Sequence, residues 1–274
     1  MMQFIILTDL DGSLLDAMSY SCEAATEALQ QIQGLGIPIV LVSSKTRAEI
    51  EPLRIRLRNG HPFIVENGGG IFIPRSYFPF LVEQSAVRGR YHVVELGLPY
   101  TELRMALKEI EQDLGYRLLG FGDMSMEEIA RYTGLSPADA ALAKQREFDE
   151  PFLINHDGIT CEDLRPYVES RGLHCTKGGR FFHLMGMSDK GRASCLVLEW
   201  YRRHAESQGR EVVSIGLGDS LNDLPMLKAV DRPILVQKPD GTYDPDIHLP
   251  HLYRAAGSGP IGWNKAVLAI LHDT

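Results

Sequence analysis

The chain has 274 residues, 44% of them hydrophobic, and a formal net charge of −8. That length supports a sizeable core in one large domain or two modest ones, and the negative balance argues against nucleic-acid or membrane-surface binding, which relies on clustered Lys and Arg. The cysteines Cys22, Cys161, Cys175 and Cys195 are scattered without a C-x-x-C pair, which disfavours a disulfide framework or a zinc site, and no apolar run is long enough for a signal peptide or a membrane span, so the sequence predicts a cytoplasmic protein.

Phe4 to Thr8 reads as a buried strand that ends in Asp9 and Asp11, followed at once by Gly12. Strand alternation sends residues 9 and 11 to one side. Their repulsion then calls for a cation, a shared proton or solvent. Cys22, Ala25, Leu29 and Ile32 recur at helical steps before the stop signals Gly34 and Gly36. IPIVLVSS (37–44) has the continuous apolar character of a parallel strand covered on both faces. Thr46 and Glu49 form a capping box ahead of a helix that carries Ile50, Leu53 and Leu57. PFIVENGGGIFIP adds further strand. This order predicts an α/β fold, a doubly wound Rossmann-like parallel sheet whose functional groups gather at the carboxyl ends of the strands, where Asp9, Ser43 and Glu66 lie.

From residue 83 to 185 the strands are shorter (YHVVELG, RLLGFGDM, EPFLINH, RFFHLM) and separated by helices, which predicts an inserted α+β domain. The first pattern resumes with a helix opening at SDKG, the strand VVSIGLGDS, the helix LNDLPMLKAV, the strand RPILVQ and a glycine-rich loop feeding a last helix. The expected division is therefore 1–82 and 186–274 for the core and 83–185 for the insertion.

VVSIGLGDSLND repeats the opening pattern: Asp219 lies just past a strand and Asp223 four residues on, with Gly216 and Gly218 permitting close backbone approach. If the two strands are neighbours, Asp9, Asp11, Asp219 and Asp223 converge on a hard cation, most simply Mg2+, and suggest phosphate chemistry. Asp9 would attack phosphorus, with Asp11 protonating the leaving alcohol and then deprotonating water. Lys190, Ser43 and the Ser44 amide would hold the phosphoryl group.

These residues carry a resemblance. DLDGSLLD resembles the first signature of the haloacid dehalogenase superfamily, D-x-D-G-T/S-L, with Ser13 where many members have Thr. Ser43, Lys190 and GDSLND are similar to its second, third and fourth signatures, in order. The insertion between the second and third signatures resembles the C2 cap arrangement, and its α+β pattern the C2B type. SSKTRAE, VENGGGIFIP, QREFDEPF (145–152) and GSGPIGWNKA (257–266) are similar to the mannosyl-3-phosphoglycerate phosphatases. That resemblance implies Mg2+-dependent hydrolysis of 2-O-mannosyl-3-phosphoglycerate to mannosylglycerate, a compatible solute, with a small-molecule substrate and neither nucleic acid nor membrane as partner. Such a substrate carries a carboxylate, which Lys177 and Arg180 of TKGGR (176–180) would hold, aided by Arg146 and Lys45. Ser258 and Gly259, in a loop before a helix start, suit anion or sugar-hydroxyl contacts. The alternatives are another sugar-phosphate phosphatase, a phosphomannomutase-like isomerase, and, outside enzymes, a phospho-aspartate receiver.

Overall fold

A computed structural model describes residues 2–156, 158–178 and 180–272. In chain order, β1 (Met2–Thr8), α1 (Thr26–Leu35), β2 (Ile39–Val42) and α2 (Arg47–Arg56) lead into β3 (Phe63–Val65), β4 (Gly70–Pro74), β5 (Ala86–Arg88) and β6 (Tyr91–Glu95). The inserted segment contains α3 (Tyr100–Leu114), β7 (Leu118–Gly120), α4 (Met126–Thr133), α5 (Pro137–Ala143), β8 (Asp149–Ile154), α6 (Cys161–Glu169), β9 (His174–Gly178) and β10 (Phe181–Met185). The chain then returns through α7 (Lys190–Glu206), β11 (Glu211–Gly218), α8 (Leu224–Ala229), β12 (Arg232–Gln237), β13 (Tyr253–Ser258) and α9 (Gly259–His272).

Among the described residues one sheet has the order β13-β12-β11-β1-β2-β3-β4-β6-β5; β13 through β3 run parallel, and β4, β6 and β5 are antiparallel additions at one edge. The continuous apolar runs follow from burial on both faces. In β1, Ile6 packs with Ala28, Ile32 and Trp263 on the side of α1, α2 and α9, whereas Ile5 and Leu7 pack with Val197, Met226 and Leu227 on the side of α7 and α8. Trp263 is fully buried and donates from Nε1 to Thr8 Oγ1 at 2.9 Å, and Thr8 Oγ1 donates in turn to the Asp9 carbonyl at 2.8 Å, so α9 braces the end of β1.

The strand at YHVVELG, expected in the inserted domain, is β6 and pairs with β4 in the large sheet, as β5 does with β6. Alternation identifies a strand but not the sheet it joins. The insertion has its own antiparallel sheet, β7-β8-β10-β9. Leu103, Leu107, Leu164, Phe152, Phe182 and Leu184 close one of its faces beneath α3 and α6, while Phe181 packs against Phe121 and Ile129 on the α4 and α5 side. The alternate residues of β10 thus point away from α3 and α6, toward the core. No helix among the described residues is long and apolar enough to cross a membrane.

Candidate active site

Parallel pairing of β1 with β11 sets Thr8 opposite Leu217, and the Asp9 amide donates to the Leu217 carbonyl at 2.9 Å. Two acidic loops therefore leave the same sheet edge side by side. Asp9, Asp219 and Asp223 each offer a carboxylate oxygen within 4.8 Å of the others. Lys190, at the start of α7 and 1% exposed, donates to Asp9 Oδ1 and Asp223 Oδ1, both at 2.6 Å. Asp223 is held further by the amides of Asp219 and Ser220, at 3.0 and 3.1 Å from its Oδ2. Gly12 has φ of 84°, and a Cβ there would stand 2.7 Å from Asp219 Oδ2, so a side chain at this turn would collide with the acid cluster.

Burial holds the Asp9 carboxyl well above the usual range, with Asp223 and then Asp219 adding to the shift against Lys190. Burial, then Asp223, push Asp219 up to about 7. Burial alone would disfavour the Lys190 ammonium, but Asp223 and Asp9 outweigh it and raise the lysine above its ordinary value. One ammonium does not balance three buried carboxylates. The remaining negative charge and the all-oxygen donor set fit a hard divalent cation held by Asp9, Asp219 and Asp223.

The Asp11 carboxylate lies outside that group. β1 ends at Thr8, so strand alternation does not extend to residue 11. Its Oδ2 meets Lys45 Nζ at 3.0 Å, and its Oδ1 is buried without a hydrogen-bond partner. Asp9, Asp11 and Asp219 border a cavity of about 380 Å³ that the insertion closes with Phe121, Leu135 and Phe181.

Ser43 is buried just past β2 and accepts the Lys45 amide on Oγ at 3.2 Å, while Ser44 and Lys45 line the cavity. Burial works against the charge of Lys45, but Asp11 and Glu49 raise its pKa above the ordinary value. Arg146 lines the cavity with a guanidinium already engaged: it reaches Asp149 Oδ2 at 2.7 Å, the Asp149 and Ser44 carbonyls at 3.1 Å each, and Glu66 at 3.6 Å. Arg180 also lines it and donates to the Tyr132 carbonyl.

Three expected binding residues lie elsewhere. Lys177 stands 4.9 Å from the centroid of Phe182, which faces the α3 and α6 cluster, and it lines a different cavity with Cys161 and Cys175. It occupies the opposite phase of its strand from the residues turned to the core. Gly179, within the expected TKGGR turn, lies outside the described residues. Ser258 pairs with Gln237 at the end of β13, and Gly259 packs against the loop after β1; neither lines the cavity.

A buried network not anticipated from the sequence joins the insertion to the core. Glu66 accepts the Glu147 amide at 2.9 Å and the Phe148 amide at 2.7 Å, and burial pushes its carboxyl up to about 7 against the pull of Arg146. Asp149 Oδ2 accepts from Arg146, from His183 Nδ1 at 2.8 Å and from Asn67 Nδ2 at 3.2 Å, and Asn222 donates to Asn67 Oδ1 at 3.3 Å. Burial opposes the charge of Asp149, but His183 and Arg146 prevail and keep its pKa below the ordinary value. His183 itself lines the cavity. The period-two pattern of RFFHLM sets this histidine apart from its apolar neighbours Phe182 and Leu184, which was the available signal.

Residues 6–78 match the haloacid dehalogenase-like hydrolase family. A glucosyl-3-phosphoglycerate/mannosyl-3-phosphoglycerate phosphatase from Methanococcoides burtonii is 47% identical over 98% of this chain and 98% of its own. A mannosyl-3-phosphoglycerate phosphatase from Pyrococcus furiosus is 41% identical over 85% of this chain and 90% of its own. Among solved structures, a phosphatase of the haloalkanoate enzyme superfamily from Bacteroides thetaiotaomicron superposes with a TM-score of 0.66 at 16% identity, covering 99% of this chain and 95% of that one, which bears on the fold.

Proposed function

The chain belongs to the haloacid dehalogenase-like hydrolases, in the family of the glucosyl-3-phosphoglycerate/mannosyl-3-phosphoglycerate phosphatases, and from that premise we propose that it hydrolyses the phosphate ester of mannosyl-3-phosphoglycerate and of its glucosyl counterpart. The supporting observation is the convergence of Asp9, Asp219, Asp223 and Lys190 at the edge of a cavity that also receives Asp11.

In this reading Asp9 attacks the phosphorus in line and forms an aspartyl-phosphate, which water then hydrolyses. Asp11 gives a proton to the leaving alcohol and takes one from the incoming water. The position of Asp11 on the cavity wall, with one oxygen unpartnered, suits that exchange. Lys190 fixes the Asp9 carboxylate and offsets phosphoryl charge, and the Ser43–Ser44 segment supplies further donors. A Mg2+ ion held by Asp9, Asp219 and Asp223 would neutralise the phosphoryl oxygens when bound. The insertion acts as the cap that excludes water.

A phosphate-release assay with Mg2+ tests the reading. The two glycosyl phosphoglycerates should yield inorganic phosphate far faster than common hexose phosphates. Interconversion of hexose phosphates without phosphate release would establish the isomerase alternative instead.

A further inference from the structure

Cys161 and Cys175 are 14 positions apart in sequence and lie on different elements of the insertion, yet their sulfurs stand 3.4 Å from each other. Cys161 opens α6 directly after its cap residue Thr160, and Cys175 lies in β9 opposite Leu184 of β10. Strand alternation therefore turns Cys175 to the face that α6 covers, and both cysteines pack there against the apolar cluster of Leu164 and Leu184. Each is a partly buried free thiol, and both line a cavity of about 470 Å³ that also receives Lys177 and reaches Lys190 and Asn222 of the core. A bonded pair of sulfurs stands about 2.05 Å apart, so side-chain rotation toward each other closes the gap. The hydrolysis proposed above gives this pair no part.

The two thiols are not equivalent. Cys161 sits in the first turn of α6, where free backbone amides favour a negative charge, and the Lys177 ammonium on the neighbouring strand acts in the same direction. The hydrogen bond with Cys175, and then Lys177, hold the Cys161 thiol below its ordinary pKa against burial, whereas Cys161 and burial push the Cys175 thiol up. We propose that Cys161 and Cys175 are a redox dithiol, in which Cys161 attacks a small-molecule disulfide entering the cavity and Cys175 resolves the product into a Cys161–Cys175 cross-link. In the first step the Cys161 thiolate bonds one sulfur of the oxidant, whose own S–S bond breaks and expels one thiolate. In the second, Cys175 gives up its proton and its sulfur bonds that of Cys161, expelling the other thiolate. The two protons of the pair end on the two released thiols, and the two electrons lost by the cysteines reduce the oxidant. The cross-link staples the start of α6 to β9, the strand that packs against the core turn Leu221–Asp223. This chemistry is independent of the substrate reading.

The test uses the full chain with glutathione disulfide as the oxidant. Incubation should remove two of the four titratable thiols, lower the mass by two hydrogen atoms with no glutathione attached, and join the peptides that carry Cys161 and Cys175 in a digest. Dithiothreitol should restore all four thiols. Cys175→Ser should instead retain one glutathione on Cys161, formed at least about 10-fold faster than on Cys195, the exposed cysteine of α7. Cys161→Ser should give no cross-link, and replacing Cys22 and Cys195 together by serine should leave the cross-link intact. Four thiols persisting in the oxidised wild type, a glutathione adduct that stays on Cys161 or Cys175 in place of the link, or a link through Cys22 or Cys195 would each overturn the pairing. Faster glutathione uptake by Cys175 in Cys161→Ser than by Cys161 in Cys175→Ser would overturn Cys161 as the attacking thiol. The wild-type mass and digest decide the pairing by themselves, so misfolding of a serine variant does not shield it.

Discussion

Asp9 sits where a local rule and a tertiary contact coincide. It follows a buried strand directly, and its side chain meets Lys190 at 2.6 Å from a helix 181 positions away in sequence. As the proposed nucleophile it has no substitute nearby, since Asp219 and Asp223 are engaged with Ser13, Lys190 and backbone amides. Asp9→Asn should therefore reduce kcat by a factor on the order of 10⁴ or more. The fold should survive, because the amide oxygen still accepts from Lys190 and one of three crowded carboxylates is gone; without divalent cation the thermal midpoint should match or exceed the wild type. Phosphate release within tenfold of wild type would remove Asp9 from the nucleophile's role. The convergence of Asp9, Asp219 and Asp223 is legible because Asp9 and Asp219 each lie just beyond a recognisable strand and Asp223 follows in the next turn, whereas the expectation that Asp11 joins them is not met. His183 and Asp149 were not legible, because their relevance depends on which face of a second sheet meets the core, and Lys177 was misread for the same reason.

At the scale of elements, the clearest link from sequence to structure is the N-terminus of α2. The capping box expected from Thr46 and Glu49 is present: Thr46 Oγ1 accepts the Glu49 amide at 3.1 Å, and Glu49 accepts the Thr46 amide at 2.8 Å. Thr46 has a second role that the motif did not disclose. Its hydroxyl donates to the carbonyl of Leu142 in α5 at 3.0 Å, tying a core helix to the insertion. Thr46→Ala removes both bonds. The cap contributes about 1 kcal/mol and the buried hydroxyl bond about as much again, so a loss of about 2 kcal/mol is expected in urea unfolding. Thr46→Ser preserves both oxygen contacts and should recover most of it; equal losses in the two variants would show that the methyl group matters instead. The misplacement of β6 has a related origin. Its apolar alternation is the same whether it pairs with β4 or with a strand of the insertion, and only the tertiary partner decides.

For the whole molecule, three buried carboxyls on the core side of the junction carry raised pKa values: Asp9, Asp219 at about 7 and Glu66 at about 7. In each, burial is the largest cause. A folded chain that keeps these groups protonated binds more protons than the unfolded chain between about pH 4 and pH 7. The contribution of Asp219 and Glu66 is thus complete below the unfolded values and is lost as pH rises through about 7, and that of Asp9 has the same sign. Asp149 has the opposite sign, because its pKa is depressed and its contribution disappears only on acidification below that window. In a chelator, therefore, the thermal midpoint should fall from pH 5 to pH 8, by an amount equivalent to a few kcal/mol in order of magnitude. A divalent cation held by this cluster would displace the protons of Asp9 and Asp219 and bind more tightly as they leave, so with saturating Mg2+ the decline should become shallower. Glu66, whose partners are the Glu147 and Phe148 amides and Arg146 rather than the metal group, supplies a share of the part that persists; burial raises Glu150 in the same sense, and His61, held down to about 4 by burial, works in the opposite sense. Glu66→Gln should reduce the persistent slope. Thermal scans in chelator and in Mg2+ across that range, on wild type and Glu66→Gln, separate the two contributions. A midpoint that rises with pH in chelator, or slopes unaffected by Mg2+, would mean that the acid cluster is neutralised by something other than protons and a shared cation.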